Sequence, residues 1–318
     1  MDWFIHIGTQ KTGSKAIQQF LTHCRTSISG CRICFPDSGR EGVWHQPIYD
    51  ELLIGESRKL KMAIKECEER SADVGIVSCE AFYLLTSQQI KILSKNIGQA
   101  KVVLFIRRQD QLINSLCNQF IKAHRVNFEY IKNFEASITE YNPDFDYLST
   151  IERWSQEFGF TNVIPIIYDK KSCSINDFLS HVGINHLHIN SEKASNPNPA
   201  LDFEALGILR LVKKLNNNDE NLPSLVNAAH RVLRHNFVDT YSQGDQYLLS
   251  PAQRVTILDR YRDSNDALRK KYFPDQEKLF NDLELELYER SEIDIDIDKV
   301  REIFNYAKVS IPNESFNL

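Results

Sequence analysis

Residues suited to phosphate chemistry cluster near the start of the chain, in the segment GTQKTGSK from Gly8 to Lys15. Its two glycines have the spacing of the phosphate-binding pattern G-x-x-x-x-G-K-[ST], but Ser14 and Lys15 stand in reverse order. A lysine one residue later points about 100° further round the helix, so Lys15 is poorly placed to fold back over a triphosphate. Lys11, inside the loop, can reach an anion instead. The segment therefore favours a loop for another phosphate or sulfate group.

The sequence on either side predicts the elements that such a loop needs. The stretch WFIHIG, Trp3–Gly8, predicts a buried strand, and residues from Thr12 to about Ile28 have helical spacing. The start of a helix presents unpaired N–H groups and the positive end of the helix dipole. An anion is therefore expected where the strand passes into the helix.

A second candidate site follows another predicted strand, AKVVLFI at Ala100–Ile106. Arg107 stands at its carboxyl end, where ligands bind in open α/β sheets, and Ser115 lies two helical turns along the next helix. The planar guanidinium donates two parallel hydrogen bonds to a phosphate. These residues predict a pocket for a second phosphate group. Arg107 and Arg108 stand where a magnesium-binding aspartate would be needed, which disfavours a metal-dependent ATPase.

The order of elements predicts the fold class. Strands and helices alternate down to about residue 183, which favours an α/β fold in three layers with a central parallel sheet. After the break SNPNP, Ser195–Pro199, the pattern is helical. We therefore predict an α/β nucleotide-binding core at 1–190, a helical section packed on it at 191–274 and a charged tail at 275–318.

Two segments carry weaker predictions. Cys31–Ile54 has no clear period and contains glycine and proline, so it predicts a long loop. Glu292–Asp298 alternates isoleucine with aspartate, which predicts a strand with one apolar face. Asp144 and Asp146 resemble a metal motif, but Asp146 precedes a helical pattern and is expected to be its N-cap.

Composition narrows the classes of function. The formal net charge of −5 disfavours a nucleic-acid partner. No apolar run of 18 residues predicts a transmembrane segment, and the N-terminus lacks the features of a signal peptide. The seven scattered cysteines suit reduced thiols in a cytoplasmic protein. No metal is expected, because no set of His, Cys, Asp or Glu has a convincing ligand spacing.

Taken together, the two phosphate elements resemble the sulfotransferases that use 3′-phosphoadenosine-5′-phosphosulfate (PAPS). HIGTQKTGSKAIQQFL, His6–Leu21, is similar to the family's 5′-phosphosulfate loop, and VVLFIRRQDQLINSLCNQ, Val102–Gln119, is similar to its 3′-phosphate element. Phe145–Asp169 and Leu249–Phe273 resemble segments of bacterial sulfotransferase-like proteins. The resemblance covers most of residues 3–273 and implies a P-loop-type fold.

The resemblance also implies roles for individual residues. Lys11 would contact the 5′-phosphate and the bridging oxygen of the donor, and Arg107 with Ser115 would bind the 3′-phosphate, with Arg108 assisting. The chain departs from the family at Lys15, where Ser or Thr is usual. The 5′-phosphosulfate would be wrapped by Thr12, Gly13, Ser14 and Lys15.

The implied reaction moves a sulfuryl group from PAPS to an acceptor hydroxyl, releasing 3′,5′-ADP, and bacterial relatives suggest a carbohydrate or glycoconjugate acceptor. A base must take the acceptor proton, and two residues compete for that role. His45 lies in the irregular region after the first helix, and Glu80 ends the predicted strand VGIVSCE; we favour His45 slightly. The alternatives are a P-loop kinase acting on a small molecule and a sulfotransferase-like nucleotide-binding protein without turnover.

Overall fold

A computed structural model describes the chain at residues 1–23, 31–169, 172, 174–183, 200–216, 218–234, 237–238, 248–281 and 295–311. The chain divides into two compact units. The first comprises Met1–Arg108, Asn142–Ser195 and Tyr261–Leu279, and the second comprises Gln109–Tyr141, Asn196–Arg260 and Phe280–Leu318. Both units draw on chain from either side of residue 190, and the predicted division at 190 and 274 stays a prediction. The break predicted at Ser195–Pro199 lies outside the described residues.

A parallel sheet forms the centre of the first unit. Its strands within the described residues are β1 (Asp2–His6), β2 (Ile33–Cys34), β3 (Val74–Ser78), β4 (Ala100–Ile106) and β5 (Val163–Ile167). They pair in the order β2-β3-β1-β4-β5, and every pair is parallel. After β1 the chain forms β2 and β3 on one side of β1, and it then crosses to form β4 and β5 on the other side of β1. The change of direction therefore falls beside β1, where such sheets bind ligands at their carboxyl ends.

Thirteen helices accompany the strands in the described part of the chain. In order they are α1 (Ser14–His23), α2 (Gln46–Leu53), α3 (Arg58–Glu69), α4 (Ser87–Ile97), α5 (Gln109–Lys122), α6 (Phe128–Ser137), α7 (Tyr147–Phe158), α8 (Ser174–His181), α9 (Phe203–Leu215), α10 (Leu222–Val232), α11 (Pro251–Arg260), α12 (Arg262–Tyr272) and α13 (Ile297–Ala307). Short 3₁₀ turns lie at Glu80–Leu84, Pro143–Phe145, Phe160–Asn162 and Asp219–Asn221.

Helices cover both faces of the sheet. Val103 and Phe105 of β4 pack in one apolar cluster with residues of α1 and α8. Val102 and Leu104 alternate with them, so they point to the opposite face, where they are fully buried. On that side α7 contacts β4 and β5, and α4 packs against α7. The predicted α/β fold in three layers with a central parallel sheet is confirmed.

The second unit is mainly helical and has its own apolar core. That core is built from α5, α6, α9, α10 and α13, and a short antiparallel pair, β6 (Ala200–Leu201) and β7 (Phe237–Val238), belongs to the same unit. Lys213 is buried, and its ammonium donates hydrogen bonds to the carbonyls of Phe120, Ala123 and Val126 at 3.0, 2.7 and 2.7 Å. It thus caps the carboxyl end of α5, although burial lowers its pKa to about 8.

Two local predictions were wrong. The segment predicted as a long loop contains the edge strand β2 and the helix α2, whose first turn holds Pro47. Proline suits the first turn of a helix, since its missing N–H is not needed there. In the predicted strand at 292–298, Asp296 caps α13 instead, and its side chain accepts from the N–H groups of Asp298 and Lys299. Residues 292–294 lie outside the described chain.

Candidate functional site

The segment Gly8–Lys15, which resembles a phosphate-binding loop and is called the phosphate-like loop here, connects β1 to α1, as the sequence predicts. Gly8, Lys11 and Gly13 have φ values of +95°, +63° and +83°, a region that strains residues other than glycine. A Cβ on Gly8 would lie 3.1 Å from the carbonyl oxygen of Glu80, and one on Gly13 would lie 2.5 Å from Oγ of Ser174. Backbone conformation and close packing therefore both favour glycine at these two positions.

Hydroxyl groups inside the loop brace its own backbone. Thr9 donates to the carbonyl of Phe105 through both N–H and Oγ1, each at 3.0 Å. Thr12 and Ser14 are buried, and their hydroxyls donate to the carbonyl of Thr9 at 2.6 and 3.2 Å. Lys15 is exposed. The phosphate contacts predicted for Thr12, Gly13, Ser14 and Lys15 stay predictions. The backbone N–H groups at the start of α1 are the groups best suited to bind such a phosphate.

Arg107 joins this loop to the end of β4. Its Nη1 donates to the carbonyl oxygen of Lys11 at 2.9 Å, and its guanidinium lies over the ring of Tyr168 with 5.2 Å between Cζ and the ring centre. Its buried Nε has no hydrogen-bond partner among the described residues. A buried donor left unpaired is costly unless a ligand accepts from it. The arrangement therefore leaves one donor of Arg107 beside the loop without an acceptor among the described residues.

Lys11 and Glu80 are two further half-buried charges of this site. Burial lowers the pKa of Lys11, the positive charge of Arg107 lowers it further, and Glu80 opposes the shift. Burial raises the pKa of Glu80, against the opposing effect of Lys11 and Lys15. The carboxylate at the end of β3 and the ammonium in the loop thus lie within electrostatic reach of each other. A carboxylate whose pKa is raised is a better proton acceptor near neutral pH.

His45 occupies a very different environment. Its ring is fully buried, Nε2 lies 3.1 Å from the carbonyl oxygen of Pro36, and Nδ1 lies 3.1 Å from the backbone nitrogen of Ser78. A carbonyl only accepts, so Nε2 carries the proton and Nδ1 accepts from the N–H group. Phe35 packs edge-on against the ring, and burial lowers the pKa of His45 to about 4. With both nitrogens bonded to backbone, this geometry argues against our preferred choice of His45 as the base.

His6 is buried in the core, as its alternation with apolar neighbours predicts. Its Nδ1 lies 2.7 Å from Oγ of Ser78, to which the side-chain amide of Gln18 also donates at 3.0 Å. Its Nε2 has no hydrogen-bond partner among the described residues. Burial lowers the pKa of His6 to about 3, so the imidazole is neutral at physiological pH.

Ser115 and Arg108 are the other residues predicted to bind or assist at the 3′-phosphate. Ser115 is half-buried on α5, in the second unit, whereas Arg107 and the loop belong to the first. Its role beside Arg107 stays a prediction. Arg108 is buried.

The sequence reasoning overlooked Tyr147 and Tyr168. Tyr168 supports the guanidinium of Arg107, and Tyr147 forms hydrogen bonds with the backbone of Arg107. Tyr147 follows the predicted N-cap Asp146, whose carboxylate indeed accepts from the N–H of Ser149. Nothing in the local pattern distinguishes a tyrosine that packs from one that bonds to a site residue.

In the part of the chain that the structure describes, no group of three or more His, Cys, Asp or Glu side chains is arranged to hold a metal ion. Within the same residues, no helix has the length and apolar character needed to cross a membrane.

No protein-family model matches the chain. A curated protein of Archaeoglobus fulgidus, named only as uncharacterized, is 28% identical over 227 residues, which make up 68% of this chain and 59% of that protein. The chain thus spans about three-fifths of the length of this relative.

Two solved structures show a distant likeness. A sulfotransferase from Alicyclobacillus acidocaldarius has a TM-score of 0.34 and 15% identity, over 60% of this chain and 87% of its own. The mouse sulfotransferase SULT7A1 complexed with PAP has a TM-score of 0.39 and 14% identity, over 85% of this chain and 89% of its own.

Proposed function

We propose that this protein is a sulfotransferase that moves a sulfuryl group from PAPS to the hydroxyl of an acceptor. The observation that carries the proposal is the position of Arg107. Its Nη1 holds the phosphate-like loop through the carbonyl of Lys11, while its buried Nε is left without a partner among the described residues. One anion is therefore expected at the loop and a second at the arginine, as in a nucleotide with a 5′- and a 3′-phosphate.

The remaining charges suit the transfer step. In the proposed reaction the acceptor oxygen attacks sulfur as the bond from sulfur to the phosphate oxygen breaks, and 3′,5′-ADP leaves. Lys11 neutralises charge on the departing phosphate oxygen, and Glu80 takes the acceptor proton. Burial raises the pKa of Glu80, which favours that role, and the positive charges of Lys11 and Lys15 oppose the rise.

The acceptor is proposed to be a carbohydrate or glycoconjugate, on the basis of the resemblance to bacterial sulfotransferase-like proteins. The alternative of a P-loop kinase finds no support at the end of β4, where Arg107 and Arg108 stand in place of a metal-binding carboxylate.

The first experiment is calorimetric titration of the full chain with 3′,5′-ADP and with ADP, each in magnesium and in EDTA. We expect 3′,5′-ADP to bind in both buffers and ADP to bind much more weakly. Magnesium-dependent binding of ADP would instead indicate a kinase. If neither nucleotide binds, the proposed donor site is contradicted.

Replacing Arg107 by alanine tests the 3′-phosphate contact. We expect the affinity for 3′,5′-ADP to fall by about 1.5–3 kcal/mol, because a hydrogen bond to a charged group is lost, and the affinity for ADP to fall by less, because ADP loses only the support that Arg107 gives to the loop. Arg32→Ala is the control, since Arg32 is an exposed arginine of the same unit that pairs with Asp73. Equal losses for both nucleotides in Arg107→Ala would contradict the assignment.

A further inference from the structure

Tyr147, the first residue of α7, forms hydrogen bonds with both backbone groups of Arg107. Its hydroxyl donates to the carbonyl oxygen of Arg107 at 2.5 Å and accepts from the N–H of Arg107 at 3.3 Å. The side chain is buried, at 1% exposure. Pairing between β4 and β5 ends with Ile106 opposite Ile167, so Arg107 lies just beyond the ladder. One phenol hydroxyl, which both donates and accepts, thus does for Arg107 what a neighbouring strand does for Ile106.

These bonds link two parts of the candidate site. Arg107 in turn donates from Nη1 to the carbonyl of Lys11 at 2.9 Å, and Thr9 donates from Oγ1 to the carbonyl of Phe105, two residues before Arg107, at 3.0 Å. Thr9 and Lys11 belong to the phosphate-like loop. Burial raises the pKa of Tyr147, so the hydroxyl keeps its proton and remains a donor at neutral pH. Tyr147, Arg107 and the loop therefore form one closed set of contacts within the first unit.

We propose that Tyr147 is a positioning residue for nucleotide recognition: its hydroxyl fixes the backbone of Arg107 and so aims the guanidinium at the 3′-phosphate. The role rests on the proposed function, because it presumes that Arg107 binds that group. Tyr147 acts through Arg107 and is not itself a ligand of the nucleotide. Removing its hydroxyl leaves two backbone groups unpaired, and the strand end is then free to shift.

The chain contains a closely matched control. Tyr261 is also 1% exposed and belongs to the same unit. Its hydroxyl donates to the carbonyl of Asn142 at 3.1 Å and accepts from the N–H of Asn142 at 3.0 Å. Tyr261→Phe therefore removes an equivalent pair of hydrogen bonds to the backbone of one residue, but that residue is Asn142, and neither bond involves Arg107 or the phosphate-like loop.

The experiment compares the dissociation constants of 3′,5′-ADP and ADP for the full chain and for both variants. We expect Tyr147→Phe to weaken 3′,5′-ADP about fivefold to tenfold and ADP less than about twofold, the scale of one lost hydrogen bond. Tyr261→Phe should lower the melting temperature to a similar degree and leave the ratio of the two constants unchanged. An unchanged ratio in Tyr147→Phe, or equal weakening of both nucleotides, would overturn the positioning role.

A double-mutant cycle tests whether Tyr147 acts through Arg107. In the Arg107→Ala background, Tyr147→Phe should change the affinity for 3′,5′-ADP by less than about twofold, because the two effects are not additive. A full effect in that background would overturn the proposal. If the wild-type chain shows no preference for 3′,5′-ADP, the proposed function itself fails; if it shows the preference and Tyr147→Phe keeps it, only the positioning role fails.

Discussion

Two groups of ionisable side chains lie near the carboxyl ends of the central strands, and they differ in how fully the backbone satisfies them. Around Ser78 at the end of β3, the imidazole of His45 is fully buried and both of its nitrogens have backbone partners. Around the phosphate-like loop, Lys11 and Glu80 are half-buried, and Arg107 keeps a buried Nε without a partner among the described residues. His45 therefore has no ring nitrogen left for a ligand, whereas the second group leaves hydrogen-bonding capacity for one.

Burial shifts the pKa values in both groups, but with different consequences. It lowers the pKa of His45 to about 4, which removes the charge and makes the ring a neutral structural element. It raises the pKa of Glu80, but the charges of Lys11 and Lys15 oppose that shift and favour the carboxylate. Histidine is the usual residue for proton transfer, but both ring nitrogens of His45 are bonded to backbone groups. The carboxylate of Glu80 has lone pairs that can accept a proton. We therefore prefer Glu80 to His45 as the proposed base because of their surroundings, although histidine is the residue type more often used for proton transfer.

The largest effect is expected from Glu80→Gln, which removes the base and keeps the shape. Turnover should fall by about 10²–10⁴, the usual contribution of a general base, while binding of 3′,5′-ADP is retained. Turnover is measured as the release of 3′,5′-ADP from PAPS, in the presence of an acceptor found by screening hydroxyl compounds. Because burial makes the charged carboxylate unfavourable in the fold, the variant should be no less stable than the wild type at pH 7. Normal turnover in Glu80→Gln would show that Glu80 is not the base and would remove this difference between the two groups.

The next effect is on stability, in His45→Gln. We expect a loss of about 2–4 kcal/mol in the free energy of unfolding at pH 7, since buried backbone partners are left unsatisfied. The tryptophans, Trp3, Trp44 and Trp154, all lie in the first unit, so their fluorescence during urea unfolding reports on that unit. Binding of 3′,5′-ADP to the folded variant should persist. A stable variant that has lost turnover would restore His45 as the candidate base.

The pH dependence sharpens this prediction. The folded pKa of His45 is about 4 and its ordinary value is 6.5, so between these values the folded state binds fewer protons than the unfolded state. The contribution of His45 to stability is therefore fully present above pH 6.5 and is lost as the pH falls towards 4, by up to about 3 kcal/mol. The difference between wild type and His45→Gln should consequently be larger at pH 7 than at pH 5. An equal difference at both values would contradict the neutral, buried imidazole.

The smallest effect separates the two reasons for glycine in the loop. Gly13→Ala meets both a φ of +83° and a clash with Ser174, whereas Gly42→Ala meets only a φ of +60°, with no heavy atom within 4 Å of the new Cβ. We expect Gly13→Ala to be the less stable by about 1–3 kcal/mol, the cost of overpacking. Equal stability of the two variants would mean that the loop gives way, and that its geometry is less firmly held than these contacts suggest.

Local pattern was sufficient for much of the fold and for part of the site. The apolar runs of β1, β3, β4 and β5 have lengths typical of buried strands, and Gly8 and Gly13 announce the turn between β1 and α1. Arg107 follows β4 directly, so its place at the carboxyl edge needed no tertiary information. Pattern failed for the two-residue strand β2, which is too short to show a period, and for α2, because a proline such as Pro47 is as typical of a loop as of the first turn of a helix.

The sequence by itself determined the parallel sheet, the loop and the strand end that carries Arg107, because each depends on residues adjacent in the chain. Only the tertiary structure distinguishes the surroundings of His45 from those of Glu80. The partners of His45 come from Pro36 and from Ser78, which lies 33 residues away, and the hydroxyl that holds Arg107 comes from 40 residues away. Burial and hydrogen bonding between such distant segments set which group is neutral, which is charged and which is left with a lone pair for chemistry.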